Sequence, residues 1–222
     1  MTQFEKNITR DSALDIIKSF AKEYRKELGN VPGEIIIVGG ASIVLNYSFR
    51  QATQDFDVIL RTVSSVNYVI KKFADKNGLP RDWMNTDFMK TESYSSALTE
   101  ASTHFCTLNN GTLEIRTVAG VYLVAMKIRA HRDFRNDLSD ALGVWLEEAE
   151  NGNRISIENL QSAYTKLYKD EIPQDIFERI EMIFSKNLDE IKEIYKKQRD
   201  SEKEIGVKLV SYTKKTKPSS RL

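Results

Sequence analysis

The stretch IIIVGGASIVLNYSFRQATQDFDVIL, residues 35–60, constrains the fold of this 222-residue chain more than any other. The run from Ile35 to Val38 is entirely β-branched and has no polar alternate position, which predicts a strand buried on both faces. Gly39 and Gly40 end that strand, and their missing Cβ atoms allow a sharp turn and a close approach to a ligand. Ser42 is predicted to open a short helix, whose free amides favour an anion. We therefore expect a phosphate-binding turn here.

A pair of aspartates follows in Asp55-Phe56-Asp57-Val58, which predicts a second strand. The period of two places Asp55 and Asp57 on one face of this strand, and Phe56 and Val58 on the other. Like charges this close repel, so the pair is stable mainly when a hard divalent cation, Mg²⁺ or Mn²⁺, lies between the two carboxylates. A phosphate cradle beside a metal site is typical of phosphoryl or nucleotidyl transfer. The alternative is a tight turn next to an exposed strand edge.

The order of these elements resembles the nucleotidyltransferase superfamily, which has the polymerase β-like fold. The stretches VGGASIVLNYSFRQATQDFDV, LPRDWMNTDF and YLVAMKIRAHRDFRNDLSDAL are also similar to an uncharacterised bacterial branch near the abortive-infection AbiEii toxins. This resemblance covers roughly residues 30–150. It implies an α/β (α+β) fold with a small mixed sheet, in which Gly39, Gly40 and Ser42 bind the triphosphate of an NTP.

The segment HFCTLNNGTLEIRTV predicts a hairpin of strands 105–108 and 112–118, because the residues of Asn109-Asn110-Gly111 tolerate positive φ. Enzymes of the superfamily often carry a third carboxylate on a strand next to the aspartate pair. Glu114 is the only acid in this hairpin, so the resemblance implies Glu114 as a third metal ligand. An exposed Glu114 paired with a neighbouring arginine is the alternative.

Positive charge concentrates in residues 127–135. Similarity to AbiEii-like proteins implies that Lys127 contacts the triphosphate and that an acid near Asp137 or Asp140 completes the active site. A solvated basic helix face is the alternative for the lysine. His131 could act as a general base near neutral pH, although a lone histidine on a helix is more often a structural hydrogen-bonding group.

Changes in patterning divide the chain into three parts: a nucleotidyltransferase-like domain over 1–152, a helical module over 153–205, and a basic tail over 206–222 that is predicted to be disordered. Within the module, one long helix is expected to start at Pro173 and to leave its charged half in solvent or against another subunit. Residues 79–103 form either a loop that closes over a ligand or an ordinary connector anchored by aromatic residues.

Composition excludes several classes. A hydrophobic share of 41% is enough for a buried core, and a net charge of +1 argues neither for nor against a polyanionic partner. The single cysteine, Cys106, cannot form an internal disulfide, which is typical of a reducing cytoplasm. No apolar run has the length of a membrane span, so no membrane partner is expected.

The sequence therefore predicts a Mg²⁺-dependent nucleotidyltransferase that transfers a nucleoside monophosphate to an acceptor hydroxyl in a toxin or phage-defence setting. RNA is favoured as the acceptor because phosphate contacts to the basic segment 127–135 could hold an RNA end near the metal. An antitoxin or a second copy of the chain is a further possible partner. The alternatives are a non-catalytic, antitoxin-like binding module of the same fold and an RNA-binding regulatory protein.

Overall fold

The computed structural model describes residues 8–130, 132 and 136–216, and for 206–216 it describes only the backbone. In this part of the chain, strands and helices are mixed as far as Val118, and only helices follow. The strands are β1 (Ile8–Thr9), β2 (Gly33–Val38), β3 (Ala52–Thr53), β4 (Phe56–Arg61), β5 (Met84–Asn85), β6 (Ser102–Leu108) and β7 (Leu113–Val118). The α-helices are α1 (Arg10–Leu28), α2 (Gly39–Asn46), α3 (Val66–Asn77), α4 (Gly120–Ala130), α5 (Asp137–Glu150), α6 (Ile157–Tyr168), α7 (Gln174–Phe184) and α8 (Leu188–Thr216).

Strand β2 lies at the centre of a mixed five-stranded sheet with the order β5-β4-β2-β7-β6. It pairs antiparallel with β4 and parallel with β7, while β1 and β3 form a separate two-stranded sheet. Residues 35–38 are at most 1% exposed, so the predicted strand with two covered faces is confirmed. The hairpin of β6 and β7 is also confirmed, with positive φ at Asn109, Asn110 and Gly111. The expected α/β fold with a small mixed sheet is correct.

The two faces of the sheet belong to two hydrophobic cores. Ile35, Ile37 and Val58 pack with helices α1 and α3, whereas Ile36 and Val38 pack with the helices that follow the sheet. Helices α4, α5, α6 and α8 all contribute fully buried residues to this second core; these are Leu123, Ala125, Val144, Leu160 and Ile191. The helices of the predicted module 153–205 therefore share one core with the nucleotidyltransferase-like segment.

The prediction of one long helix after Pro173 is wrong, because two helices, α7 and α8, occupy that segment. Asn187 caps the start of α8: its side chain accepts from the Glu190 N–H at 3.0 Å, and the Glu190 carboxylate accepts from the Asn187 N–H at 3.2 Å. Such reciprocal capping favours a new helix start over continuation. Helix α8 continues to Thr216, so part of the predicted disordered tail is helical, and residues 217–222 lie outside the described residues. None of the described helices combines the length and apolarity that a membrane span requires.

Trp83 packs at the centre of the first core, against residues of several elements. Its side chain is 0% exposed, its indole N–H donates to the Ile70 carbonyl at 3.2 Å, and its ring contacts Phe20, Phe56 and Phe73 from three different elements. We expect Trp83→Ala to lower the free energy of unfolding by about 3–5 kcal/mol, because it removes a large buried ring and leaves a cavity. Denaturant unfolding followed by circular dichroism measures this change.

Tyr68→Ala is the matched control, because Tyr68 is an aromatic residue that is 61% exposed. We expect a change within about 0.5 kcal/mol for this variant. Similar losses in both variants would contradict the central position of Trp83 in the core.

Candidate active site

A cavity of about 620 Å³ opens where β2 ends and β4 begins. Four parts of the chain line it: the turn from β2 into α2, the segment around β3, the connection after β5, and the facing ends of α4 and α5. The predicted site residues that line it are Gly39, Gly40, Asp55, Asp57, Lys127 and Asp137. The fold therefore brings most of the predicted site to one place.

The two glycines allow a close approach of other side chains to the start of α2. Gly39 has φ +57°, a conformation that favours glycine, and a Cβ there would lie 3.3 Å from an oxygen of Asp57. A Cβ at Gly40 would lie 2.8 Å from Nη2 of Arg50 and 3.0 Å from the Thr53 hydroxyl. An aspartate and an arginine thus approach the turn from two sides.

Ser42 does not lie where the sequence predicts. Helix α2 already begins at Gly39, so Ser42 lies inside its first turn instead of opening it. The side chain is 0% exposed, and its hydroxyl accepts a hydrogen bond from the Val118 N–H at 3.2 Å. Ser42 therefore joins α2 to the end of β7 and does not line the cavity, which corrects its expected place in the phosphate cradle.

The aspartate pair lies at the start of β4. Phe56 and Val58 are fully buried in the first core, as the alternation predicts, and Asp57 pairs in register with Val38 at the end of β2. Burial, followed by the charge of Asp55, raises the pKa of Asp57 from the usual 3.8 to about 6, against the opposing charges of Lys127 and Arg132. The two carboxylates are thus close enough to repel each other.

The residues present fit a magnesium ion. Mg²⁺ prefers oxygen ligands and is typically held by one or two carboxylates together with substrate phosphates and water. A divalent charge beside Asp57 would offset both causes of its raised pKa, since it compensates the burial and the neighbouring negative charge. Among the described residues, no group of three or more histidine, cysteine, aspartate or glutamate side chains could hold a metal. Asp55 and Asp57 are therefore the candidate protein ligands.

Lys127 bridges two buried carboxylates at the opposite wall. Its ammonium lies 2.9 Å from an oxygen of Asp137 and 2.9 Å from an oxygen of Asp140, and both aspartates are 0% exposed. Burial alone raises the pKa of Asp137, but the hydrogen bonds and charges of Arg132 and Lys127 outweigh it and lower the pKa to about 2. Lys127 is thus a buried charge held in a network of ion pairs, unlike the freely solvated lysine of the alternative prediction.

Asp140 and Arg50 extend this network. The Asp140 carboxylate accepts from Arg50 and Lys127, and Arg199 of α8 adds a third cation at 3.3 Å. The Arg50 side chain is 14% exposed and also donates from Nε to the Ala52 carbonyl at 3.2 Å. Sequence reasoning missed Arg50, whose only distinguishing feature is its position between the glycine turn and the aspartate pair. It also assigned the half of α8 that carries Arg199 to solvent or to another subunit.

Glu114 lies away from the cavity. It pairs in register with Glu34, whereas Asp57 pairs with Val38, so it is displaced by four residues, or about 13 Å, along the sheet. There it forms an ion pair with Arg116 at 3.1 Å, which lowers its pKa, and it contacts His104. Glu114 thus matches the alternative prediction, an exposed acid beside an arginine, and its expected place beside the aspartates is corrected.

Two other described cations of the basic segment 127–135 also pair with aspartates, and one of them, Arg132, lines the cavity. Arg129 bonds to Asp170 and to the Tyr164 hydroxyl, each at 3.1 Å, while Arg132 bonds to Asp137 at 2.8 Å. His131, for which the sequence left a structural role and a general-base role open, lies outside the described residues, as does Arg135.

The connection over residues 79–103 is anchored by aromatic residues, as one of the two alternatives predicts, and it also contributes to the cavity. Trp83 and Phe88 anchor it in the two cores, while Asp87, Thr91 and Ser93 line the cavity. The anchored connector is therefore also one wall of the candidate site.

Comparison with known protein families gives a match over most of the chain. A family model described as "Nucleotidyltransferase of unknown function (DUF6036)" matches residues 12–196. The chain belongs to this nucleotidyltransferase family. The match extends beyond the resemblance over 30–150 and includes α6, α7 and the first part of α8. No curated protein and no solved structure matches the chain significantly.

The raised pKa of Asp57 predicts a stability cost in the metal-free nucleotidyltransferase. Between pH 3.8 and about 6 the folded protein keeps a proton on Asp57 that the unfolded chain has lost, so the free energy of unfolding falls as pH rises through this window. Asp57→Asn removes the cost. After a discount for screening, we expect the variant to be about 1–2 kcal/mol more stable than the wild type above pH 7, with the difference shrinking below about pH 4.

Denaturant unfolding in the presence of a chelator, repeated across this pH range, measures the difference. Asp75→Asn is the control, because Asp75 lies in an exposed ion pair with Arg81. A variant that is less stable than the wild type above pH 7 would contradict the unfavourable environment that burial and Asp55 create for the charge of Asp57.

Proposed function

We propose that this protein is a divalent-metal-dependent nucleotidyltransferase that transfers a nucleoside monophosphate from a nucleoside triphosphate to an acceptor hydroxyl. The observation that carries the proposal is the convergence of Asp55 and Asp57 with Arg50 and Lys127 on one cavity beside the start of α2. Membership of the family supports the transferase class. A toxin or phage-defence setting rests on the sequence resemblance to AbiEii-type toxins.

The residues on each side of the cavity have a separate role in the proposed reaction. Asp55 and Asp57 would hold Mg²⁺ or Mn²⁺, which supplies charge neutralisation of the triphosphate and orients its phosphates. The amides at the start of α2 favour a phosphate, since the first turn of a helix has free N–H groups. Arg50 and Lys127 add positive charge for the pyrophosphate leaving group. The acceptor hydroxyl attacks the α-phosphorus, the bond from that phosphorus to the bridging oxygen of the β-phosphate breaks so that pyrophosphate leaves, and the hydroxyl proton passes to solvent.

The acceptor class is a separate question. The sequence favours RNA as the acceptor because a free basic face is expected over 127–135. Each described cation of this segment instead pairs with an aspartate; these cations are Lys127, Arg129 and Arg132. This pairing removes much of the charge that would attract an RNA backbone. RNA and protein hydroxyls are therefore both candidates, and the experiment below separates them.

One observation favours a second function, a nucleotide-binding module without turnover. Outside the aspartate pair, the described residues provide no third carboxylate for a metal, and Asp137 and Asp140 are occupied by buried ion pairs. Such a module would bind the triphosphate and leave it intact.

Transfer is tested with α-³²P-labelled nucleotides, Mg²⁺ and pooled RNA and protein acceptors. We expect label to enter one acceptor pool, and to disappear with a chelator and in Asp55→Asn, because Asp55 is one of the two carboxylates proposed to hold the cation. Ribonuclease and protease then identify the acceptor. Glu114→Gln is the matched control, since this carboxylate lies on the same sheet but far from the cavity, and it should keep wild-type incorporation.

Binding of a triphosphate without incorporation from any nucleotide would favour the non-catalytic module. Loss of incorporation in Glu114→Gln, with Asp55→Asn unaffected, would contradict the proposed site.

Replacement of Lys127 should change the affinity for a triphosphate and the affinity for a nucleoside by different amounts. The charge of the lysine acts on phosphate and not on the base, so Lys127→Met should weaken triphosphate binding about tenfold or more and leave nucleoside binding nearly unchanged. The variant should also lose about 3–5 kcal/mol of stability, because two buried carboxylates lose a partner.

Calorimetric titration below the unfolding temperature of the variant measures both affinities. Lys192→Met is the control, because Lys192 forms a surface ion pair with Glu150. Equal weakening of both ligands by Lys127→Met would mean that Lys127 acts only on the structure.

A further inference from the structure

The first turn of α5 carries both buried aspartates of the site, yet its own sequence does not cap it. The helix begins at Asp137, and Asn136 before it makes no side-chain capping hydrogen bond. The first N–H groups of a helix have no partner within the helix and need one from elsewhere. For Ser139 that partner is Glu202 of α8, whose carboxylate accepts the Ser139 N–H at 3.2 Å.

A second α8 residue joins the same turn. The Ser139 hydroxyl donates to Glu202 and accepts from Arg199 at 3.0 Å, and the same nitrogen of Arg199 lies 3.3 Å from Asp140. Burial of these groups is nearly complete, since Ser139 and Asp140 are 0% exposed and Glu202 is 4% exposed. Buried charges need partners, so this contact is part of the folded structure and not an incidental surface pair.

We propose that Arg199 and Glu202 are positioning residues of the active site. Glu202 caps the first turn of α5 from another helix, and Arg199 holds the Asp140 carboxylate. Asp140 in turn contacts both Arg50 and Lys127. Helix α8 thereby determines where the phosphate-binding cations lie, although none of its described side chains lines the cavity. This inference rests on the proposed function for its link to the triphosphate.

A displacement of the first turn of α5 would affect the cations of the site directly. A shift of the α5 turn moves Asp140, and Asp140 contacts the two cations with no residue between them. Misplacement of a functional group by about 1 Å can cost about 100-fold in rate, so a small loosening should be measurable at the ligand. Neither Arg199 nor Glu202 lies within the matched family segment 12–196.

The experiment uses the full chain with Arg199→Met and Glu202→Ala, and with Arg199→Lys and Glu202→Gln as conservative variants. Lys203→Met is the matched control, because this cation lies on the same helix with a side chain that is 67% exposed. Circular dichroism and a thermal scan first establish the temperature at which each variant is folded.

Hydrogen exchange of the metal-free and nucleotide-free protein gives the first measurement. We expect the amides over 138–141 to exchange about tenfold faster in Arg199→Met and Glu202→Ala than in the wild type, because the turn has lost its cap. The conservative variants should restore part of the protection, and Lys203→Met should match the wild type. Unchanged exchange at this turn would overturn the inference whatever the protein binds.

Titration with Mg²⁺ and a nucleoside triphosphate, and with the nucleoside alone, gives the second measurement. We expect about a tenfold loss of triphosphate affinity with little change for the nucleoside. In a Lys127→Met background the Arg199→Met change should cost less than in the wild type, since both act through Asp140. Faster exchange with unchanged triphosphate selectivity would overturn the positioning role, while a wild-type protein that binds no triphosphate would overturn the proposed function.

Discussion

The buried carboxylate of Asp140 is the interaction on which the arrangement of the site depends. It is completely inaccessible to water and pairs with Arg50, Lys127 and Arg199, which come from the segment before β3, from α4 and from α8. A carboxylate this deeply buried is tolerated only when cations surround it. The charge balance therefore holds three distant parts of the chain at one point, beside the wall of the cavity where phosphate binding is proposed.

The aspartates at the start of β4 present the opposite case. Asp57 lies near Asp55 in a partly buried position, and the surrounding cations do not fully compensate it, because its pKa remains raised to about 6. Functional sites often keep such unfavourable electrostatics, since a ligand can later use them. On one wall of the cavity the Asp140 carboxylate is thus fully paired with cations, whereas on a second wall the charge of Asp57 is only partly compensated. A divalent cation fits the second wall.

The sequence predicted the parts of the site that local rules control. Side-chain alternation or backbone freedom over a few residues explains the strand before Gly39, the closeness of Asp55 and Asp57, and the turn at Asn110. Ser42 was misplaced because the helix starts at the glycine itself, which turns the hydroxyl toward β7. Glu114 was misplaced because the pairing of neighbouring strands sets its position along the sheet, and side-chain periodicity carries no information about pairing register.

Helix α8 illustrates the same division. The charged pattern of α8 predicts a helix. It does not show whether Arg199 and Glu202 lie in solvent or in a buried ion pair, because the same sequence pattern is compatible with both. By itself the sequence determined the order of the elements, the paired carboxylates and the nucleotidyltransferase class. Only the tertiary structure decided which cations surround Asp140, that Glu202 caps α5, and that Glu114 stands apart. The physical reason is that these contacts join residues up to 90 positions apart, and chain packing alone sets their distances.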